Sequence, residues 1–242
     1  VEAALRTGVG MVRYLGPARA ADLVLARRPE AVTADGRAQA WLIGSGLDDG
    51  GDSEALAEAR VRSALDAGVP LVLDATALPL ARDPRARAVP RVLTPHAGEL
   101  ARLTGVDRAS VLADPDASAL DAARTLDAVV LLKGATTRVA TPAGRMLVVA
   151  EATPWLATAG AGDALAGILG AIVATHAREL VAPAGRENAI ADRLAELAGA
   201  AAALHGAAAR RASAGGPLTV LDLCAALPAV IRDVLADAGL SS

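Results

Sequence analysis

Short apolar runs alternate with helical patterns along most of this chain, and each run ends in, or is followed directly by, a polar residue or glycine. They are Trp41–Gly44, Val69–Asp74, Arg91–Thr94 and Ala128–Leu132. Each is too short for a helix and too continuous in its hydrophobicity for a strand that faces water, so each reads as a strand buried on both faces. Between them lie a helix capped by Ser53 and running through Asp66 to a stop at Gly68, a short helix ending near Gly105, and a helix from Asp116 to Leu126. Val1 to Thr7 is helical before Gly8. This alternation predicts an α/β fold with a mainly parallel central sheet and helices on both faces, in one domain over residues 1–242. Thr137–Ala140 and Met146–Val149 flank Pro142-Ala143-Gly144-Arg145 and predict a hairpin. Helices are expected over Ala164–Ala174, about Asn188–Ala212 and Pro228–Ala238, with Gly215-Gly216-Pro217 as a linker. Alanine supplies about a quarter of the residues and aromatics only 1%, which suits helices packed closely on a sheet.

Charge and composition narrow the function. A net charge of −3 with the two signs interspersed leaves no basic stripe, and without interleaved aromatics there is no stacking platform, so nucleic acid is not an expected partner. No apolar run is long enough to span a membrane, and no charged-then-apolar leader precedes a cleavage site. The expectation is a soluble, cytoplasmic protein. Cys224 is the single cysteine, excluding a disulfide or thiolate metal cluster within one chain, and reads as a buried small hydrophobe.

In open parallel sheets ligands gather outside the carboxyl ends of the strands. Gly44-Ser45-Gly46, Asp74, His96 and Lys133-Gly134 all fall at such ends. A further loop, Trp155 to Gly167, runs through Gly160-Ala161-Gly162-Asp163 into an apolar helix. Its glycines let the N–H groups of Gly160, Ala161 and Gly162 turn inward as an anion hole, and the helix adds the positive end of its dipole. Asp163 then stands where a hydroxyl would meet a phosphoryl group. Taken alone, the loop also reads as an ordinary glycine-rich turn. His96 taken alone reads as a capping or core residue, and Lys133 as a solvated charge at a strand end. His176 and His205 read as structural, and Glu99 as the cap of its own helix rather than a holder of metal-bound water.

Five motifs in this order resemble those of the ADP-dependent (S)-NAD(P)H-hydrate dehydratases, a family of ribokinase-like fold. They are Gly44-Ser45-Gly46-Leu47, Leu73-Asp74-Ala75, Leu93-Thr94-Pro95-His96-Ala97-Gly98-Glu99, Leu132-Lys133-Gly134-Ala135-Thr136-Thr137 and Ala157-Thr158-Ala159-Gly160-Ala161-Gly162-Asp163. The resemblance implies repair of hydrated NADH or NADPH, at the expense of ADP, to the normal cofactor with release of AMP and phosphate. It makes Asp163 the catalytic base and assigns substrate contacts to Gly46, His96 and Asp163. It assigns the AMP part of ADP to Lys133, Gly134, Ala135, Thr136, Thr137 and Gly162. It further implies Mg²⁺, whose protein ligands no motif identifies, a homo-oligomer of homotetramer type, and work beside an NAD(P)H-hydrate epimerase.

The chain departs from the family pattern in places. Ala159 and Ala161 stand where glycine and threonine are frequent, and Thr76 stands where a second acid is usual, which weakens a metal-binding reading of that turn. Family members begin with a strand and a glycine-rich loop that helps bind substrate, and this sequence is expected to lack them. Two other functions stay open on the residues: a ribokinase-like kinase of a small alcohol or vitamin precursor, and a non-catalytic nucleotide-binding fragment.

Overall fold

The computed structural model describes residues 1–44, 54–180 and 186–240, the side chains of residues 54–56 excepted. Its centre is a six-stranded sheet whose spatial order follows the chain. The strands are β1 (Trp41–Ile43), β2 (Leu71–Leu73), β3 (Arg91–Leu93), β4 (Val129–Leu132), β5 (Thr137–Ala140) and β6 (Met146–Val149). β1 to β4 are parallel; β5 and β6 return antiparallel as the expected hairpin. The fold expectation is met: a mainly parallel sheet with helices on both faces.

The pleat sorts the core. Val72, Val92, Val129, Leu131 and Val139 pack on one face against α8 (Ala161–Thr175), α9 (Glu187–Ser213) and α10 (Val220–Asp237). On the other face Leu71, Leu73 and Leu93 meet α3 (Glu54–Asp66) and a 3₁₀ segment over Ala75–Arg82. Val130, Leu132 and Ala140 meet α5 (Ala97–Thr104), α6 (Arg108–Ala113) and α7 (Pro115–Leu126) on the same side. Neighbours in a strand thus serve opposite layers, as the two-residue period requires. Small residues bring α8 close: a Cβ on Gly167 would lie 3.3 Å from Ala3 Cβ in α1 (Glu2–Arg6). The carboxylate of Glu2 pairs with Arg28, just beyond α2 (Ala18–Arg27), and that guanidinium holds the Glu2 carboxyl down at about 2.

Several local expectations need correction. α10 begins at Val220, not at Pro228, because Thr219 and Asp222 form a reciprocal capping box and Pro228 lies inside the helix. Proline removes one amide donor there, but Leu223, Cys224, Leu227 and Val230 are buried, and tertiary packing holds the helix through it. α8 starts at Ala161 rather than Ala164, which places Asp163 in its first turn. Gly215 and Gly216 form a tight helix-to-helix turn, with Gly215 at φ 92° after Ala214 at φ 45°. α2, α6, α4 (Pro84–Arg87) and the 3₁₀ segment were not among the elements expected from sequence. Cys224 is buried as expected, and burial pushes its thiol up. Among the described residues no helix is long and apolar enough to cross a membrane.

Among the described residues β1 is one of the two edges of the sheet, opposite β6. A cavity of about 670 Å³ runs beside it, lined by residues that include Met11, Tyr14, Leu42, Gly170, Asp74 and Asp163.

Candidate active site

Asp74 directly follows β2, and its N–H donates to the Ile43 carbonyl at 2.9 Å. Its side chain is nearly sealed, and Oδ1 accepts from Thr94 Oγ1 and from Lys133 Nζ, each at 2.8 Å. A buried carboxylate is tolerable only when paired and hydrogen-bonded, and this one is both. Gly44 permits the arrangement, since a Cβ there would lie 2.3 Å from the Asp74 carbonyl oxygen. Thr76, in the place of the second acid, donates its hydroxyl to the Gly44 carbonyl at 2.9 Å and so braces the β1 and β2 ends instead of offering a metal ligand.

β3 leads through Thr94 and Pro95 to His96, the N-cap of α5. Its Nδ1 accepts from the N–H groups of Gly98 at 3.0 Å and Glu99 at 3.2 Å, and Glu99 Oε2 accepts the His96 N–H at 2.7 Å. The acceptor role of Nδ1 puts the proton of the neutral ring on Nε2. His96 is therefore a cap, and its ring is also half-exposed on the rim. Glu99 is the other half of the capping box.

β4 delivers Lys133 next to His96, with the Lys133 N–H donating to the Pro95 carbonyl at 2.8 Å. Its ammonium lies 2.8 Å from Asp74 Oδ1, 3.6 Å from Glu99 Oε2, and 3.5 Å from where a Cβ on Gly162 would stand. Lys133 thus reaches across to the start of α8. The following residues Gly134, Ala135 and Thr136 make a close turn, with 3.2 Å between the Thr136 carbonyl and a Cβ built on Gly134, before Thr137 opens β5.

At α8, Gly160 is the N-cap at φ 82°, a left-handed conformation that favours glycine. The first helical bond runs from the Ala164 N–H to the Gly160 carbonyl at 2.9 Å. The Ala161 N–H already faces the Thr158 carbonyl at 3.3 Å, so this member of the expected anion hole is engaged. Among the described residues the Gly160, Gly162 and Asp163 N–H groups carry no hydrogen bond, so two members of the expected set stay available and Asp163 adds a third donor. His205 Nε2 sits 2.9 Å from the Ala161 carbonyl oxygen, and His176 Nδ1 lies 2.9 Å from the Ile172 carbonyl.

The structure therefore brings Lys133, His96 and Gly162 onto one rim, with Asp163 following Gly162 in the first turn of α8. Gly46 lies outside the described residues, as does the Ser53 cap. Sequence reading placed Asp74 on the rim without giving it a role, and passed over Thr94; the available signal was a carboxylate closing an apolar strand. The arrangement offers backbone donors, a helix dipole and one ammonium to an anion, with a carboxylate beside them to take a proton.

Comparison with known proteins agrees. Residues 1–228 match the family model described as NAD(P)H-hydrate dehydratase. The chain is 42% identical over 182 residues to a bifunctional NAD(P)H-hydrate repair enzyme of Mycobacterium tuberculosis, covering 72% of this chain and 37% of that one. It is 37% identical over 203 residues to an ADP-dependent (S)-NAD(P)H-hydrate dehydratase of Xanthomonas campestris, covering 75% of this chain and 68% of that one. The crystal structure of the ADP/ATP-dependent NAD(P)H-hydrate dehydratase of Bacillus subtilis, co-crystallised with ATP/Mg²⁺ and soaked with CoA, aligns with TM-score 0.78 at 27% identity. It covers 96% of this chain and 84% of that one. The family model spans residues 1–228 and the structural alignment 96% of the chain, and on them the chain belongs to the NAD(P)H-hydrate dehydratase family, with its ribokinase-like fold.

Proposed function

We propose that this protein dehydrates the (S)-hydrate of NADH or NADPH back to the intact cofactor, consuming ADP and releasing AMP and phosphate. The observation that carries this reading is the Lys133 ammonium packed against Gly162 at the start of α8, whose first turn bears Asp163. That grouping suits transfer of a phosphoryl group to a hydroxyl.

The C6 hydroxyl of the hydrated ring gives its proton to the Asp163 carboxylate as its oxygen attacks the β-phosphorus of ADP. The bond from that phosphorus to the bridging oxygen breaks, and AMP leaves with the electron pair. The ring nitrogen next to C6 then expels phosphate with its lone pair, and loss of the C5 proton restores the C5–C6 double bond. The Gly162 and Asp163 amides and Lys133 face the charge carried by the transferring group. The half-exposed ring of His96, with Nε2 3.5 Å from Glu99 Oε1, stands on the same rim, where the nicotinamide nucleotide is to lie, and Gly46 belongs to the same assignment. Lys133, Gly134, Ala135, Thr136, Thr137 and Gly162 form the ADP side.

Mg²⁺ fits as an ion that enters with the nucleotide. Among the described residues no group of three or more His, Cys, Asp or Glu stands together as a ligand set. Asp74 Oδ1 is committed to Thr94 and Lys133, and the phosphate oxygens of the nucleotide are the natural holders of an ion that keeps most of its waters. Bound there, it would neutralise phosphate charge. The Bacillus subtilis relative co-crystallised with ATP/Mg²⁺ supports this.

We further place the protein in the cytoplasm as a homo-oligomer of a single-domain chain. An NAD(P)H-hydrate epimerase is the natural partner, since an enzyme for one C6 epimer leaves the other untouched. The test is absorbance at 340 nm with hydrated NADH, Mg²⁺ and either ADP or ATP. A rise with ADP, matched by AMP and free phosphate, is the expected result. A stable phosphorylated product would make the protein a kinase, and ADP binding without turnover a non-catalytic module.

A further inference from the structure

The ammonium of Lys133 is held from behind. Asp74 Oδ1 takes one of its protons at 2.8 Å, and Glu99 Oε2 lies 3.6 Å away. Each carboxylate has a partner besides the lysine: Asp74 the Thr94 hydroxyl at 2.8 Å, Glu99 the His96 N–H at 2.7 Å. The remaining side of the ammonium faces Gly162, where the absence of a side chain leaves 3.5 Å to the position a Cβ would fill. A lysine ammonium carries three donors, and with one spent on the buried Asp74 carboxylate and the Glu99 carboxylate nearby, the side towards Gly162 is left for an anion. Lysine also carries large rotamer entropy, so a cation pinned in advance binds an anion at less cost than one ordered on arrival.

We propose that Asp74 is a positioning residue that fixes Lys133 on the β-phosphate of ADP, making this lysine the group that distinguishes the diphosphate from AMP. The proposal rests on the reading of the site as one for phosphoryl transfer from ADP. Asp74 touches neither reactant and acts through Lys133. Thr94 supports Asp74 from the far side.

Calorimetric titration of the full chain with ADP and with AMP, in Mg²⁺, tests this without any turnover. Wild type is expected to bind ADP at least tenfold more tightly than AMP. Lys133→Gln is expected to erase that ratio while AMP affinity stays within about twofold. Asp74→Asn, which keeps the shape of the side chain, is expected to lower the ratio several-fold, and the double variant Asp74→Asn with Lys133→Gln to be no worse than Lys133→Gln alone. Thr94→Val, a milder change that leaves the lysine and the carboxylate in place, guards against a fold defect in Asp74→Asn and is expected to lower the ratio to a lesser degree. Equal losses of ADP and AMP affinity would put Lys133 on the AMP part and overturn the proposal. Additive losses in the double variant, or a wild type that binds ADP no better than AMP, would overturn it as well. Dehydration activity with an unchanged ratio in the variants removes this inference and leaves the proposed reaction standing, whereas the expected ratios without dehydration do the reverse.

Discussion

His205 and Ala161, 44 residues apart, are joined by a 2.9 Å hydrogen bond from the buried imidazole Nε2 to the carbonyl oxygen of the first residue of α8. α9 therefore holds the turn that carries Gly162 and Asp163. Burial pulls His205 down from about 6.5 to about 4, against the smaller opposing pull of the Ala161 carbonyl. The folded protein keeps the ring neutral where the unfolded chain takes up a proton. Stability is then at its full value above about pH 6.5 and declines as pH falls towards 4, by up to about 3 kcal/mol. Urea midpoints at pH 7 and pH 4.5 are expected to converge in His205→Gln, which cannot titrate; an unchanged gap would assign the pH dependence to other groups.

Asp163 is the proposed base in the first turn of α8. Asp163→Asn keeps the shape and removes the proton acceptor, so turnover is expected to fall by about 100- to 10,000-fold. ADP affinity is expected to stay close to that of wild type. Steady-state kinetics beside calorimetry separates the two, and a parallel loss of nucleotide affinity would contradict the assignment.

His96 combines a cap with an exposed ring. His96→Ala loses the cap and is expected to cost about 1 kcal/mol, while His96→Asn restores a side-chain acceptor at the same position. If the ring also contacts the nicotinamide nucleotide, His96→Asn is expected to raise KM at wild-type stability. A variant with wild-type stability and wild-type KM would leave His96 as a cap alone.

Arg91, buried in β3, donates to the carbonyl of Leu126 at 2.8 Å, of Asp127 at 2.6 Å and of Arg87 at 3.1 Å. It thereby closes the carboxyl ends of α4 and α7. Arg91→Met fills the space but orphans those carbonyls, and a loss of about 3 kcal/mol is expected by urea titration. Activity of the remaining folded enzyme is expected to be unchanged, since Arg91 lies at the opposite end of its strand from Thr94 and His96.

What the sequence determined by itself was local and periodic. The bounds of β5 and β6 follow directly from two apolar runs around Pro142-Ala143-Gly144-Arg145, because strand alternation and turn chemistry are both encoded within a few residues. The parallel sheet follows from the spacing of the earlier runs, and the turn into α8 from glycines placed before an apolar helix. Tertiary structure alone decided the rest. Asp74 and Lys133 are 59 residues apart, and only the neighbouring places of β2, β3 and β4 in the sheet bring their side chains together. Whether His96 caps or projects, whether Pro228 starts a helix or sits within one, and whether the Ala161 amide is available or engaged all depend on packing and on hydrogen-bond partners distant or unpatterned in sequence. Local propensity cannot weigh such partners, because the free energy of each arises only when the sheet has set them at contact distance.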